Sequence, residues 1–235
     1  MDSVKQAFAY RKKYAGTFKG NPRYMMIADY SQTATKVRSM QIDLYTGEVV
    51  GRKISHGRTS DKGSHNSGVF NTCKRSNGTR TNATRPGFFK VENTYASSGG
   101  CTSDNYKKHV KIYGKPKYGC SHGEFRDKNG RLVYGWPYLG SGYPNGHNGI
   151  RMDGLNKGVN DKAKSNGVVM HGAWYNQGDQ MGRSYGCPAF HPDEFRSVAD
   201  ALKDGALYYS YTPKCADDMK KILTEIPNWK NVCSI

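Results

Sequence analysis

The stretch from Gly57 to about Gly149 constrains this chain most. It is dense in Gly, Ser, Asn, Thr and Lys, with only short apolar patches at Gly87-Phe88-Phe89-Lys90-Val91 and Arg131-Leu132-Val133-Tyr134. No helical apolar stripe runs through it, so it reads as strands separated by long loops. Clearer patterns flank it. Tyr24 to Tyr30 reads as a strand. Met40, Ile42 and Leu44 alternate with Gln41, Asp43 and Tyr45, the pattern of a half-buried strand. Thr46-Gly47 turns the chain, and Glu48 to Ser55 returns as the partner. Later, Gly167-Val168-Val169-Met170-His171 is a short buried strand and Ala206 to Tyr211 another.

Helices are few. Val4, Ala7 and Phe8 before Arg11-Lys12-Lys13 suggest a short N-terminal helix, ended by Gly16 and Gly20-Asn21-Pro22. Pro192-Asp193-Glu194 opens a second, with proline in the first turn and acids at the positive end of the dipole. Phe195, Val198, Ala199 and Leu202 follow helical spacing, and Gly205 is a natural stop. Met219, Ile222, Leu223 and Ile226 mark a last amphipathic helix. The expected fold is mainly β with a few flanking helices and long loops. A helical segment at 1–22 precedes a domain at 23–211, which carries a loop-rich insertion at about 72–145. A helix and tail fill 212–235.

The 235 residues suit one domain, and 17 Tyr, 8 Phe and 3 Trp argue against disorder. No apolar run approaches the roughly 20 residues of a membrane helix. Lys and Arg number 36 against 19 Asp and Glu, a net charge of +17 spread along the chain. That charge suits an anionic partner such as nucleic acid, a membrane surface or an acidic wall polymer, and equally a basic enzyme. No RRM, helix-turn-helix or zinc-finger signature supports nucleic acid.

Cysteines stand at 73, 101, 120, 187, 215 and 233, none in a C-x-x-C pair, and no metal cluster is evident. Neither a metal nor another cofactor is expected. If one cysteine is a free nucleophile, five remain, so at most two disulfides leave a further thiol. Such usage favours an oxidising compartment. No apolar signal core follows Met1; either the protein is intracellular or a signal has been removed.

The chemistry centres on Val169-Met170-His171-Gly172-Ala173 and Gly182-Arg183-Ser184-Tyr185-Gly186-Cys187-Pro188-Ala189-Phe190. A thiol is a weak nucleophile until an imidazole takes its proton. His171 ends a strand, which holds its ring, and a carbonyl near Gly172 is the expected acceptor for its other nitrogen. Gly186 lets the backbone approach a substrate carbonyl, and the N–H groups of Gly186, Cys187 and Tyr185 are candidates for an oxyanion hole.

These stretches resemble the catalytic signature of L,D-transpeptidases of the YkuD type, written His-Gly, spacer, Ser/Thr-His-Gly-Cys. Arg183-Ser184-x-Gly186-Cys187-Pro188-Ala189 is closer to the murein L,D-transpeptidase subfamily with Arg-Ser-x-Gly-Cys-Pro-Ala. Ile27-Ala28-Asp29-Tyr30-Ser31, Ser55-His56-Gly57-Arg58 and Gly154-Leu155-Asn156-Lys157-Gly158-Val159-Asn160-Asp161 resemble further segments of it. The likeness runs from about 24 to 210 and is poor between about 72 and 145. Tyr185 replaces the usual histidine, the spacer is shorter, and Pro188-Ala189 stands where many members carry an arginine. Arg183 and Arg151 are the substitute candidates for binding a carboxylate.

The resemblance implies a β-sandwich-like catalytic fold and a cysteine acyltransferase on peptidoglycan stem peptides. Cys187 would attack, His171 would shuttle the proton, and Ser184 would order the loop or bind substrate. The thioester, formed with loss of D-alanine, would pass to an amine as a 3–3 cross-link. Passage to water would make an L,D-carboxypeptidase, and amide exchange is a further output of the same fold. A basic, non-enzymatic wall-binding module is the alternative of another class. The resemblance places the protein in the periplasm or outside the cell, with the sacculus as partner, and leaves oligomeric state open. There disulfides become expected, Cys215 with Cys233 first. His56 is placed near the cleft, against the plainer reading that it only bonds a loop, and His147 has the same two readings. His65, His109, His122 and His191 read as surface or loop residues. Asp161 reads as a cap, and Tyr138, Tyr143 and Trp174 as cleft linings or loop anchors.

Overall fold

The computed structural model describes residues 2–62, 67–74, 76–79, 81–96, 125–126, 132–134, 139–144, 147–176 and 179–232. The expectations for His65, Cys101, His109, Cys120, His122, Tyr138, Cys233 and the side chain of Trp174 lie outside this description.

Three α-helices are described: α1 (Asp2–Lys13), α2 (Pro192–Leu202) and α3 (Ala216–Thr224). The strands are β1 (Tyr24–Asp29), β2 (Ser39–Asp43), β3 (Val49–Arg52), β4 (His56–Gly57), β5 (Gly87–Tyr95), β6 (Phe125–Arg126), β7 (Leu132–Tyr134), β8 (Gly149–Gly154), β9 (Val169–Gly172), β10 (Arg183–Ser184), β11 (Ala189–Phe190) and β12 (Leu207–Tyr211). Eight form one mixed sheet in the order β11-β9-β8-β5-β12-β1-β2-β3. β4 with β10 and β6 with β7 form small ribbons. The mainly β architecture with flanking helices is therefore present.

Strand periodicity sorts the core onto both faces of the sheet. Met26, Ala28, Phe89, Val91, Met170 and Tyr208 face one core, closed by Phe195, Val198, Ala199 and Leu202 of α2. Met25, Ile27, Phe88, Leu207 and Tyr209 face the other, closed by Ala7 and Tyr10 of α1, Met219 and Ile222 of α3, and Trp229. Phe88 is the centre of an aromatic stack, 3.8 Å from the Tyr10 ring and 4.1 Å from Tyr209. A run with both faces covered is buried throughout, as the iBBBBi pattern of β1 shows.

Two expectations need correction. β2 is not half-buried: Ser39, Gln41 and Asp43 are buried as well. In register they stand opposite Ala28, Met26 and Tyr24, residues of the larger core or packed against it. Asp43 is compensated there by Arg23, whose Nε and Nη2 donate to Oδ2 at 2.9 and 2.7 Å. Second, Cys215 is bonded to Cys73, not Cys233, across 142 residues with a Cα–Cα distance of 5.7 Å. The bridge joins the loop after β4 to the N-cap of α3, a proximity made by the fold alone.

Candidate active site

β9 positions the histidine. Its neighbours are β8 on one side and β11 on the other. In the parallel pairing of β9 with β11, His171 lies opposite Ala189 and Gly172 opposite Phe190. Cys187 precedes Ala189 by two residues, so the pairing draws the nucleophile candidate alongside β9. Its Sγ lies 4.0 Å from the Gly167 carbonyl and accepts from the Val169 N–H. Cys187 is half-buried and is the free cysteine among the described residues.

The His171 ring is 2% exposed, and its Nδ1 lies 2.9 Å from the Gly172 carbonyl. Nδ1–H donates to that oxygen, which puts the accepting lone pair on Nε2. Burial lowers the imidazole to about 4, the Gly172 hydrogen bond opposing it. Burial pushes the Cys187 thiol up, against the Val169 N–H and the Arg85 guanidinium. Both effects disfavour the charged forms, so the resting pair at neutral pH is thiol and neutral imidazole.

The loop before Cys187 is fixed by a serine and a glycine. Ser184, 1% exposed, donates from Oγ to the Cys187 carbonyl at 2.6 Å and accepts the Gly186 N–H at 3.0 Å. Gly186 has φ +109°, and a Cβ there would stand 2.8 Å from the Ala83 carbonyl. Because the Gly186 N–H is engaged inside the loop, the oxyanion candidates narrow to the amides of Cys187 and Tyr185. The β4–β10 ribbon, with Arg183 opposite His56 and Ser184 opposite Gly57, carries the loop.

The remaining candidates separate. Tyr185 is 71% exposed with the Arg58 guanidinium 4.5 Å above its ring, a cationic rim two residues before Cys187. Arg183 is half-buried, and its Nε meets no acceptor among the described residues. Arg151 is exposed on β8, 4.7 Å over the Tyr95 ring. His56 is corrected: it is 1% exposed and offers no surface to a substrate. Arg38 Nη2 donates to its Nδ1 at 2.9 Å, and its Nε2 lies 3.3 Å from Asp61 Oδ2. Burial first, then Arg38, lowers its pKa. His147 anchors a loop through Thr94 Oγ1 at 2.9 Å, and His191 caps α2 by accepting the Asp193 N–H. Asp161 caps its own turn by accepting from Gly158 N at 3.0 Å.

Arg85 and Tyr175 escaped the sequence reading. Tyr175 follows β9 in a short 3-10 turn, its ring edge-on to His171 at 6.5 Å. Arg85 lines a small pocket of about 10 Å³ with Thr84, Val168, Gly186, Pro188 and Ser210. The only sequence signal was a lone cation ahead of the apolar Pro86-Gly87-Phe88-Phe89 run. Among the described residues no cluster of three or more His, Cys, Asp or Glu fit for a metal occurs, and no helix is long and apolar enough to cross a membrane.

The family model described as L,D-transpeptidase catalytic domain matches residues 1–104 and 135–211, more than half of the chain. No protein of curated function matches. Similar solved structures include an L,D-transpeptidase from Mycobacterium smegmatis (16% identity, TM-score 0.38, 81% of this chain and 59% of that one). L,D-transpeptidase 1 of Mycobacterium tuberculosis gives 16% identity and TM-score 0.35, with 80% and 62% covered. The helical cell shape determining protein Pgp2 of Campylobacter jejuni gives 13% identity and TM-score 0.34, with 96% and 63% covered. The chain thus spans about three fifths of the length of these structures.

Proposed function

As this chain belongs to the L,D-transpeptidase catalytic domain family, we propose that it is a cysteine acyltransferase acting on peptidoglycan stem peptides outside the cytoplasmic membrane. The observation that carries the reading is the β9–β11 register, which sets Cys187 beside the strand of a histidine whose Nδ1 is already held by the Gly172 carbonyl.

The step runs as follows. A stem peptide presents the carbonyl of its third residue, followed by D-alanine. The Cys187 proton passes to His171 Nε2 as Sγ bonds to the carbonyl carbon. The amides of Cys187 and Tyr185 hold the oxyanion. The C–N bond to D-alanine then breaks, and the imidazolium returns the proton to the departing amine. The thioester that remains is attacked by the side-chain amine of a second stem, which loses a proton to His171. The C–S bond breaks and the thiol is regenerated. Ser184 keeps the loop in shape, and the Arg58–Tyr185 rim with the +17 charge favours an anionic wall polymer.

Incubation with a defined disaccharide-tetrapeptide, followed by chromatography and mass spectrometry, tests the reading. Cross-linked dimer that vanishes in Cys187→Ala supports it. Tripeptide alone, lost in the same variant, makes the protein an L,D-carboxypeptidase. Wall binding without turnover, undiminished in Cys187→Ala, makes it a binding module.

A further inference from the structure

We propose that Arg85 is the cationic partner of Cys187: held beneath the nucleophile loop, its guanidinium stabilises the negative charge that forms on Sγ when the thiol gives up its proton. The inference rests on the reading of Cys187 as the nucleophile.

Arg85 stands in the turn before β5 and is only 5% exposed. A buried charge is costly unless paired and hydrogen-bonded. Among the described residues no carboxylate forms an ion pair with it. Its Nη2 donates to the Gly78 carbonyl at 3.0 Å, while its buried Nε meets no acceptor among those residues. The pocket it lines is also lined by Gly186 and Pro188, the two residues flanking Cys187. An anion therefore becomes available to Arg85 when Cys187 ionises. Burial has the largest effect on each group, lowering the proton affinity of Arg85 and raising that of Sγ; against it, Sγ raises that of Arg85, and Arg85 lowers that of Sγ.

The turn is built to hold this charge still. Thr84 Oγ1 accepts the Gly57 N–H at 2.7 Å, and Thr84 N donates to Ser60 Oγ at 3.0 Å. On the other side Asn160 Nδ2 donates to the Pro86 carbonyl at 2.8 Å and the Phe88 carbonyl at 3.0 Å. A fixed charge needs little reorganisation when Sγ becomes negative.

The other titratable groups around Cys187 supply no such charge at rest. His171 on β9 is kept neutral by burial. Tyr175, in the turn after β9, is kept protonated by burial and by the nearby sulfur. Arg58 sits over the exposed Tyr185 ring on the outer side of the loop, and Arg183 faces His56 across the β4–β10 ribbon.

Alkylation by iodoacetamide tests the proposal without any peptidoglycan. Carbon joins Sγ and iodide leaves, so the rate reads the thiolate. The rate at Cys187 is followed by peptide mass spectrometry from acid to alkaline pH. In folded Arg85→Gln the neutral-pH rate falls about tenfold or more, and the profile moves to higher pH. Arg85→Lys stays nearer the wild type. Should Arg85→Gln fail to fold, Arg85→Met, which removes charge and unsatisfied nitrogens together, gives the same comparison. An unchanged profile in either folded neutral variant overturns the proposal. So does an unchanged profile with a raised KM for a stem peptide, which would make Arg85 a substrate-carboxylate ligand. Absence of peptidoglycan turnover in the wild type would instead remove the functional reading and leave the alkylation result intact.

Discussion

His171 lies directly opposite Ala189 in the parallel β9–β11 pair, and its backbone N–H reaches the Pro188 carbonyl at 3.3 Å. Two short strands thus set the spacing between the imidazole and the thiol two residues before Ala189. Whatever disturbs the loop from Arg183 to Pro188 should disturb the chemistry before it disturbs the sheet.

Gly186→Ala is the sharpest such disturbance. At φ +109° an L side chain is strained, and its Cβ would press on the Ala83 backbone, which cannot swing aside as a side chain can. We expect a cost of about 1–3 kcal/mol in stability and loss of most activity. Thermal melting beside a turnover assay checks this; full activity at unchanged stability would contradict it.

Ser184→Ala removes one hydroxyl that serves both the Gly186 N–H and the Cys187 carbonyl. Leaving buried groups unpaired costs about 1–3 kcal/mol. Turnover should fall more than stability, and Ser184→Thr should recover part of it. Equal activity in the alanine variant would show that the loop keeps its shape unaided.

Acid should loosen the fold through its buried histidines. His171 is lowered from 6.5 to about 4, so the unfolded chain binds a proton in that interval and the folded one does not. Stability is therefore full above pH 6.5 and is lost as pH falls toward 4. For His171 the loss is on the order of 3 kcal/mol, and His56 adds in the same direction. Urea midpoints measured across this interval test the slope, which should be shallower in His171→Gln. A flat midpoint would contradict the buried, neutral assignment.

The Cys73–Cys215 bridge closes a 142-residue separation. Constraining so long a loop in the unfolded chain is worth about 4–5 kcal/mol. The melting temperature should drop on reduction and in Cys73→Ala. A reductant-insensitive wild type would argue against the bridge.

Much of the framework was legible because it is local. The short apolar runs predicted β1, β9 and β12, and the Pro-Asp-Glu start with its apolar spacing predicted α2. The expected carbonyl partner for His171 is the Gly172 oxygen itself. Asp161, read as a cap, does cap its turn through a neighbour three residues away, as short-range hydrogen bonding allows. The errors arose where distant segments meet. Gln41 and Asp43 looked solvent-facing by alternation, and only the cover over that face buried them. Of the two readings of His56, the Arg38 and Asp61 contacts favour the plainer one, a histidine held by its neighbours and not by a substrate.

What the sequence by itself determined is the candidate pair, His171 and Cys187, with the serine and glycine of the loop before Cys187. Those features depend on side-chain chemistry and backbone freedom within one short stretch. The tertiary structure decided which distant groups stand near that pair. Arg85 stands about a hundred residues upstream of Cys187, yet the pairing of β12 with β5 and the Thr84 and Asn160 hydrogen bonds fix its turn in place. Cys73 found Cys215 for the same reason. Charge and thiol chemistry act through space, and spatial neighbours separated by many residues leave no periodic trace in a single chain.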